Sequence, residues 1–354
     1  MFIKTLKIEN IRNLARVEIE PSPILNILFG ANGAGKTSVL ESLVVLSRGR
    51  SFRTNQANEL IGPAGNSFRV FAESLNHSKN TTRLGLERSG KHWRARKNGD
   101  DLSQLSQLTR DLPLVLMEPN SHLLVSGPPE VRRKYLDWGM FHVEHEFLDT
   151  WRRFSKILKQ RNAALRFRQE DVLDSIDEVF SDLGSRLGRL RRSHSDEISK
   201  RVQGLLKDLG SSLENIGFEY QCGWTKESLR ESLIAGREGD LMRGTTGSGP
   251  HRADIAMLCG EASARSVLSR GEQKLLAATL LLSQVEILAK LGEKPIVLMD
   301  DLASEFDQQH SERVLNQALK SGGQVWVSGT RLHRAEVNHK VFHVEHGEVQ
   351  EMVQ

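Results

Sequence analysis

Ile24-Leu25-Asn26-Ile27-Leu28-Phe29 runs directly into Gly30-Ala31-Asn32-Gly33-Ala34-Gly35-Lys36-Thr37, and this junction decides the fold. The first six residues read as a buried strand. The next eight fit G-x-x-x-x-G-K-[ST], a phosphate-binding loop, and Ser38 to Leu46 read as the helix that follows. Glycines let successive backbone N–H groups turn inward around a phosphate with no Cβ in the way. Lys36 is spaced to reach the β- and γ-phosphates, and the Thr37 hydroxyl to ligate Mg²⁺. The helix N-terminus, at Thr37 and Ser38, adds its partial positive charge. The chain is therefore expected to bind a nucleoside triphosphate through Gly30, Ala31, Asn32, Gly33, Ala34, Gly35, Lys36, Thr37 and Ser38.

Two later segments complete a site of this kind. Pro295-Ile296-Val297-Leu298-Met299 is an apolar strand ending in Asp300-Asp301. Asp300 at the strand end is expected to hold Mg²⁺ opposite Thr37, and Asp301 to orient the attacking water, with Lys36 assisting the chemistry. Leu268-Ser269-Arg270-Gly271-Glu272-Gln273-Lys274 precedes a long apolar helix. Ser269 and Glu272 stand in capping-box register. The same residues match L-S-x-G-x-x-K, the signature of ATP-binding-cassette ATPases, where a serine hydroxyl and a glycine amide (here Ser269 and Gly271) bind a γ-phosphate. Both readings can hold together. In the cassette ATPases the signature of one subunit completes the nucleotide site of another, so this resemblance implies that two copies, each with one phosphate loop and one signature, would clamp two ATP molecules between them.

A chain of 354 residues has room for two domains and a sizeable core. Lys+Arg 49 against Asp+Glu 45 leaves only +4, so the distribution of charge matters more than its total. Cys222 and Cys259 fit no metal spacing and no disulfide framework. Met1-Phe2-Ile3-Lys4-Thr5 reads as a strand start rather than a signal peptide. Leu275 to Leu291 carries Ser283, Gln284, Glu286 and Lys290 and so reads as a buried helix, not a membrane span. A cytoplasmic protein without a membrane partner is expected. The first ~125 residues are rich in strand signals. From Pro129 the character turns helical and basic, with Phe154, Ile157, Leu158 and Leu165 in one helical stripe and Leu183, Leu187 and Leu190 in another. A glycine-rich stretch, Gly244 to Pro250, reads as flexible, and the last ~100 residues alternate helix and strand. Residues 1–128 are thus read as the first half of a head with the phosphate loop, 129–238 as a helical arm insertion, and 239–354 as the second half of the head. The pentapeptide Phe-His-Val-Glu-His, at 141–145 and again at 342–346, reads as coincidence, with solvated histidines.

Together these segments resemble the SMC/RecF branch of the cassette ATPases, and the RecF group most. The resemblance also rests on Ile11-Arg12-Asn13, Gly49-Arg50-Ser51-Phe52-Arg53, Arg132-Arg133, Leu136-Asp137-Trp138, Leu158 to Leu165, Gly249-Pro250-His251-Arg252 and Asp300 to Asp307. It covers nearly the whole chain. It implies an α/β fold: an ABC/SMC-type P-loop ATPase head, split in sequence, with an inserted helical arm. It further implies ATP and Mg²⁺ as cofactors, an ATP-dependent homodimer, and weak DNA-stimulated ATP hydrolysis. The implied partners are double-stranded and gapped DNA and the RecR, RecO and RecA proteins of recombinational repair. By the same match Asn32 would contact phosphate, and Ala303 to Asp307 would face the partner subunit. Transporters of the wider class carry Glu where this chain has Asp301, and His where it offers Ser328 or Thr330. No glutamine switch loop stands out, and Glu118-Pro119-Asn120 occupies that neighbourhood.

DNA contact without base specificity needs cations on one surface. Arg94, Arg96 and Lys97 lie in a basic hairpin, and Arg152 and Arg153 on the arm. Each cluster can equally be a solvated surface balanced by nearby acids. Two rival functions are the ATPase subunit of a membrane transporter and a binding module with a vestigial ATP site. The helical insertion, Asp301 and the missing His speak against the first, and intact Lys36, Thr37, Asp300 and Ser269 against the second.

Overall fold

In the computed structural model, which describes residues 1–75, 80–213, 216–330 and 337–352, the strand Leu25–Phe29 is flanked on both sides by parallel neighbours. Val325–Gly329 lies on one side and His339–Glu345 on the other. Ile296–Met299 continues the sheet beyond Val325–Gly329, followed by Leu114–Met117, both parallel. Glu348–Met352 closes the opposite edge antiparallel to His339–Glu345. Ile296–Met299 and Val325–Gly329 inside the sheet, and Leu114–Met117 at its edge, are short runs buried along their length, as sequences covered on both faces must be. The helix Lys36–Arg48 leaves directly from the phosphate loop, and Gly49 ends it in the left-handed region, with its N–H on the Val45 carbonyl.

A second, antiparallel sheet is built from Phe2–Ile11, Leu14–Ile19, Ser67–Leu75, Thr81–Ser89, His92–Lys97 and Asp100–Asp101. Its residues alternate. Leu6, Ile8, Val70, Ala72, Leu84 and Leu86 are buried, while Lys7–Glu18, Arg69–Glu87 and Arg83–Glu73 pair on the solvent side. The buried face joins Val39, Leu40 and Leu43 of the phosphate-loop helix and Leu28, Leu298, Trp326 and Phe342 of the parallel sheet in one core. Buried Gln324 ties the two sheets. Its amide donates to the carbonyls of Ile3 and Ser22, and its oxygen accepts from Ile3 N–H and Trp326 Nε1.

These sheets belong to one compact unit, Met1–Ser121 with Asp208–Gly210 and Ala278–Gln354. The other unit is His122–Lys207 with Ser211–Ala277. Its core gathers Phe147 and Phe154 of the helix Phe147–Arg166, Phe180, Leu183 and Leu187 of the helix Leu173–Asp208, and Leu229 and Leu233. It runs past residue 238 because the strand Asp254–Cys259 pairs antiparallel with Ile216–Gln221, and ion pairs bind the same segment in. Arg132 forks onto Asp254 at 2.6 and 2.9 Å, and Arg191 onto Asp137 while donating to the Pro250 carbonyl at 2.6 Å. Among the described residues no helix is long and apolar enough to cross a membrane.

Residues 244 to 250, read from their glycines as flexible, are held fast. Arg161, fully buried, donates to Asp177, to Asp240 and to the Thr246 hydroxyl at 2.6, 2.7 and 3.0 Å. Asn162 Oδ1 accepts from the Thr246 N–H and hydroxyl, and Asp240 from Gly247 N–H. Glycine content therefore marks conformational demand here, since side chains distant in sequence supply the restraint. Removing Arg161 would strip both buried carboxylates of the partner they share, leaving Asp177 to Arg237 and Asp240 to Arg243. Arg161→Met should destabilise the second unit by about 3–5 kcal/mol and speed hydrogen exchange at the Thr246 and Gly247 amides. Unchanged exchange at those amides would mean that the network does not hold the loop.

Candidate nucleotide site

The phosphate loop is shaped by steric exclusion. A Cβ on Gly30 would lie 2.1 Å from the Val344 carbonyl oxygen, and Gly35 sits at φ +123 against Leu14 and Asn13. Only glycine fits either place. Ala31, Asn32 and Gly33 are exposed at the crown of the loop. Its underside is braced from elsewhere in the sequence. Asn13 Nδ2 donates to the Gly33 and Ala34 carbonyls, Asn13 Oδ1 accepts from Ser38 Oγ at 3.0 Å, and Gly347 N–H donates to Ala34 at 2.9 Å. Lys36 is folded into the loop, its ammonium donating to the Gly30 and Ala31 carbonyls at 2.8 Å each. Burial holds its pKa below the ordinary lysine value, against the pull of Asp301 and Asp300.

Parallel pairing of three strands brings Thr37 and Asp300 together. Thr37 Oγ1 donates to Asp300 Oδ1 at 2.9 Å across 263 residues of sequence. Ser328 donates to the same oxygen at 2.7 Å. Burial raises the Asp300 pKa, and the bonds from Ser328 and Thr37 restrain the rise. Asp301 follows in the left-handed region, φ +53 and ψ 44, with its N–H on Ser328 Oγ.

Glu118, at the end of the strand Leu114–Met117, adds a third carboxylate. Its pKa is pushed up to about 7, by burial first and by Asp300 second, with Arg48 opposing. Arg48 is itself lowered to about 10, chiefly by burial.

Glu41 was not singled out in the sequence, and it joins two of the quoted strings. Fully buried, it accepts both arms of the Arg12 fork at 3.0 Å and the Ser51 hydroxyl, with Arg53 at 3.6 Å. The signal for it was a carboxylate among the apolar residues of the first helix.

Within the second unit, Ser269, Arg270 and Gly271 are exposed at the start of the helix Arg270–Lys290. The capping box is formed: Glu272 N–H donates to Ser269 Oγ, and Glu272 accepts from Ser269 N–H at 2.8 Å. These bonds draw the Glu272 pKa down. A Cβ at Gly271 would meet nothing within 4 Å, so the turn is open to an approaching group.

The basic clusters are balanced by acids. Arg94 and Arg96 both bond Asp101, and Lys97 bonds Asp111 at 2.7 Å. On the arm, Arg152 is exposed and Arg153 stands 3.8 Å from Asp149. Of the two Phe-His-Val-Glu-His copies, the first ends the helix Pro129–Val143 and the second lies on His339–Glu345, where His343 meets the Phe29 ring at 5.8 Å.

The proton on Glu118 gives the site a stability signature. The folded chain keeps this proton to about pH 7, whereas an ordinary glutamate releases it near 4.5. Between those values the folded state binds more protons, so this group makes stability fall as pH rises. In metal-free buffer Glu118→Gln should flatten the melting temperature between about pH 5 and pH 7. An unaltered slope would show that Glu118 is ionised throughout.

A family model described as the RecF/RecN/SMC N-terminal domain matches residues 2–351. The chain is 39% identical over 360 residues to the DNA replication and repair protein RecF of Stenotrophomonas maltophilia (strain R551-3), covering 99% of both. It is 36% identical over 355 residues to the protein of that name from Thioalkalivibrio sulfidiphilus (strain HL-EbGR7), covering 98% of both. Its fold is similar to a solved structure of the recombination mediator protein RecF with ATP in the RecFOR pathway. That match has a TM-score of 0.88 at 24% identity and covers 99% of this chain and 98% of that one. It is also similar to an SMC head bound to the C-winged helix domain of ScpA, with a TM-score of 0.61 at 14% identity, covering 99% and 97%. A mostly parallel sheet that carries the phosphate loop, an antiparallel sheet sharing its core, and a helical insertion thus make an SMC-type ATPase head. Within that class the chain belongs to the RecF family.

Proposed function

We propose that the chain is an ATP-dependent DNA-binding ATPase of recombinational repair and replication-fork maintenance. The observation that carries this reading is the Thr37–Asp300 contact at 2.9 Å, beside a loop whose glycines leave room for phosphate. A hydroxyl and a carboxylate held together are the hard oxygen donors that suit Mg²⁺, so Thr37 and Asp300 fit the ion. When bound, Mg²⁺ neutralises charge on the β- and γ-phosphates. The chain's own groups do the rest. Backbone amides of residues 30 to 38 cradle the phosphates, and Lys36 exchanges its two carbonyl partners for phosphate oxygens. Asp301 orients the attacking water. A shorter side chain than the glutamate of the transporters suits slow turnover, a switch more than a motor.

This reading places the exposed Ser269 and Gly271 on the ATP held by a second copy. ATP then joins two chains, and hydrolysis releases them. The joined form grips duplex or gapped DNA and acts with RecR and RecO in loading RecA. The relatives are named as DNA replication and repair proteins, which favours this reading over a transporter subunit.

Sedimentation tests the composite site. ATP should convert monomer to dimer, and Lys36→Arg or Ser269→Arg should prevent it. A wild-type chain that stays monomeric with ATP and DNA both present would overturn the model. For DNA, phosphates must replace Asp101 on Arg94 and Arg96, Asp111 on Lys97, and Asp149 beside Arg153, with Arg152 adding charge. Charge reversal at Arg94, Arg96 and Lys97 should weaken duplex binding and make it less steeply dependent on salt. Binding that is unchanged across salt concentrations would remove this hairpin from the interface.

A further inference from the structure

Two hydroxyls, Ser328 and Thr330, stand where the transporters carry a histidine that senses the γ-phosphate. We infer that Ser328 is not a phosphate sensor but a positioning residue, one that fixes both the metal-facing carboxylate of Asp300 and the backbone that aims Asp301. The inference rests on the nucleotide-site reading above and deepens it.

Register puts Ser328 in place. Val327 pairs with Met299 in the parallel ladder, so Ser328 and Asp300 are the next residues on neighbouring strands. Ser328 is only 1% exposed. A hydroxyl has one proton to give. Here that proton goes to Asp300 Oδ1 at 2.7 Å, while the Ser328 oxygen accepts from Asp301 N–H at 2.9 Å. Nothing remains to donate to a phosphate unless Asp300 is released. Thr330, by contrast, is exposed.

The second bond matters as much as the first. Asp301 sits at φ +53, where non-glycine residues are uncommon. Its N–H is held by Ser328, and its carbonyl accepts from the Ser304 N–H and hydroxyl at 2.9 Å each. Asp300 N–H is tied to the Met117 carbonyl at 2.8 Å. The turn is thus clamped around the two carboxylates, and the Ser328 side chain touches both residues. Partners of metal-binding side chains typically change metal affinity 10–100-fold when removed.

The test is an equilibrium titration of a fluorescent ATP analogue into the full-length chain, with Mg²⁺ varied and with EDTA as the metal-free arm. Ser328→Ala should raise the Mg²⁺ concentration for half-maximal binding roughly 10–100-fold. Affinity in EDTA should stay as in the wild type, because the phosphate loop is untouched. Ser328→Thr should restore the wild-type Mg²⁺ requirement, and Ser328→Cys, a weak donor, should behave like alanine. Thermal melting of each variant checks that it folds, and the cysteine variant stands in should the alanine variant fail. An unchanged Mg²⁺ requirement, with discrimination between ATP and ADP lost instead, would overturn the inference and place Ser328 on the γ-phosphate. A wild-type chain that binds no nucleotide would overturn the nucleotide-site reading itself, a distinct result.

Discussion

Parallel pairing of Leu25–Phe29, Val325–Gly329 and Ile296–Met299 is the constraint on which the site depends. Each strand ends in a different chemical group: the phosphate loop, Ser328, and Asp300-Asp301. Parallel strands in register end on one edge, so residues 263 apart in sequence meet at 2.9 Å. A slip of one residue in either ladder would carry Ser328 or Asp300 to the opposite face. The buried apolar runs of these strands, covered on both faces, hold that register.

Buried charge provides the second layer of order. Several strings that carried the family resemblance turn out to be halves of ion pairs. Arg12 and Arg53 meet at Glu41, Arg132 meets Asp254, Asp137 meets Arg191, and Arg161 meets Asp177 and Asp240. Such pairs add little net stability when complete, yet losing one partner is costly because the other remains desolvated. Their contribution here is definition of geometry. Arg161 and Asn162 turn a glycine-rich segment into a fixed loop, and Glu41 ties the segments before and after the phosphate-loop helix to the helix itself. The arm's charges therefore divide into two kinds. Arg161 and Arg191 are structural, while Arg152 and Arg153 lie on the surface.

Much of this was legible in the sequence, and for a definite reason. The phosphate loop, the strand ending in Asp300-Asp301 and the capping box at Ser269 are local: spacing within a few residues specifies them. The strand and helix signals in the first unit are likewise periodicities within single elements, and they match Phe2–Ile11, Ser67–Leu75 and Lys36–Arg48 in kind. What could not be read were the partners. Arg94, Arg96 and Lys97 form a basic run by spacing alone, but Asp101 meets the two arginines only once the strands pair, and Asp111 meets Lys97 from the end of the helix Ser106–Asp111. Gly244 to Pro250 read as mobile because its restraints come from residues 161 and 162.

The sequence by itself therefore determined what single elements carry: a phosphate loop, an apolar strand ending in two aspartates, and a capped turn before a long helix. Tertiary structure decided which of these meet and in what electrostatic state. Thr37, Ser328 and Asp300 share one hydrogen-bonded corner, and Glu118 holds a proton to about pH 7 because burial and Asp300 both oppose its charge. The reason is physical. Backbone propensity and side-chain spacing act over a few residues, whereas desolvation and pairing depend on which distant groups the folded chain packs together.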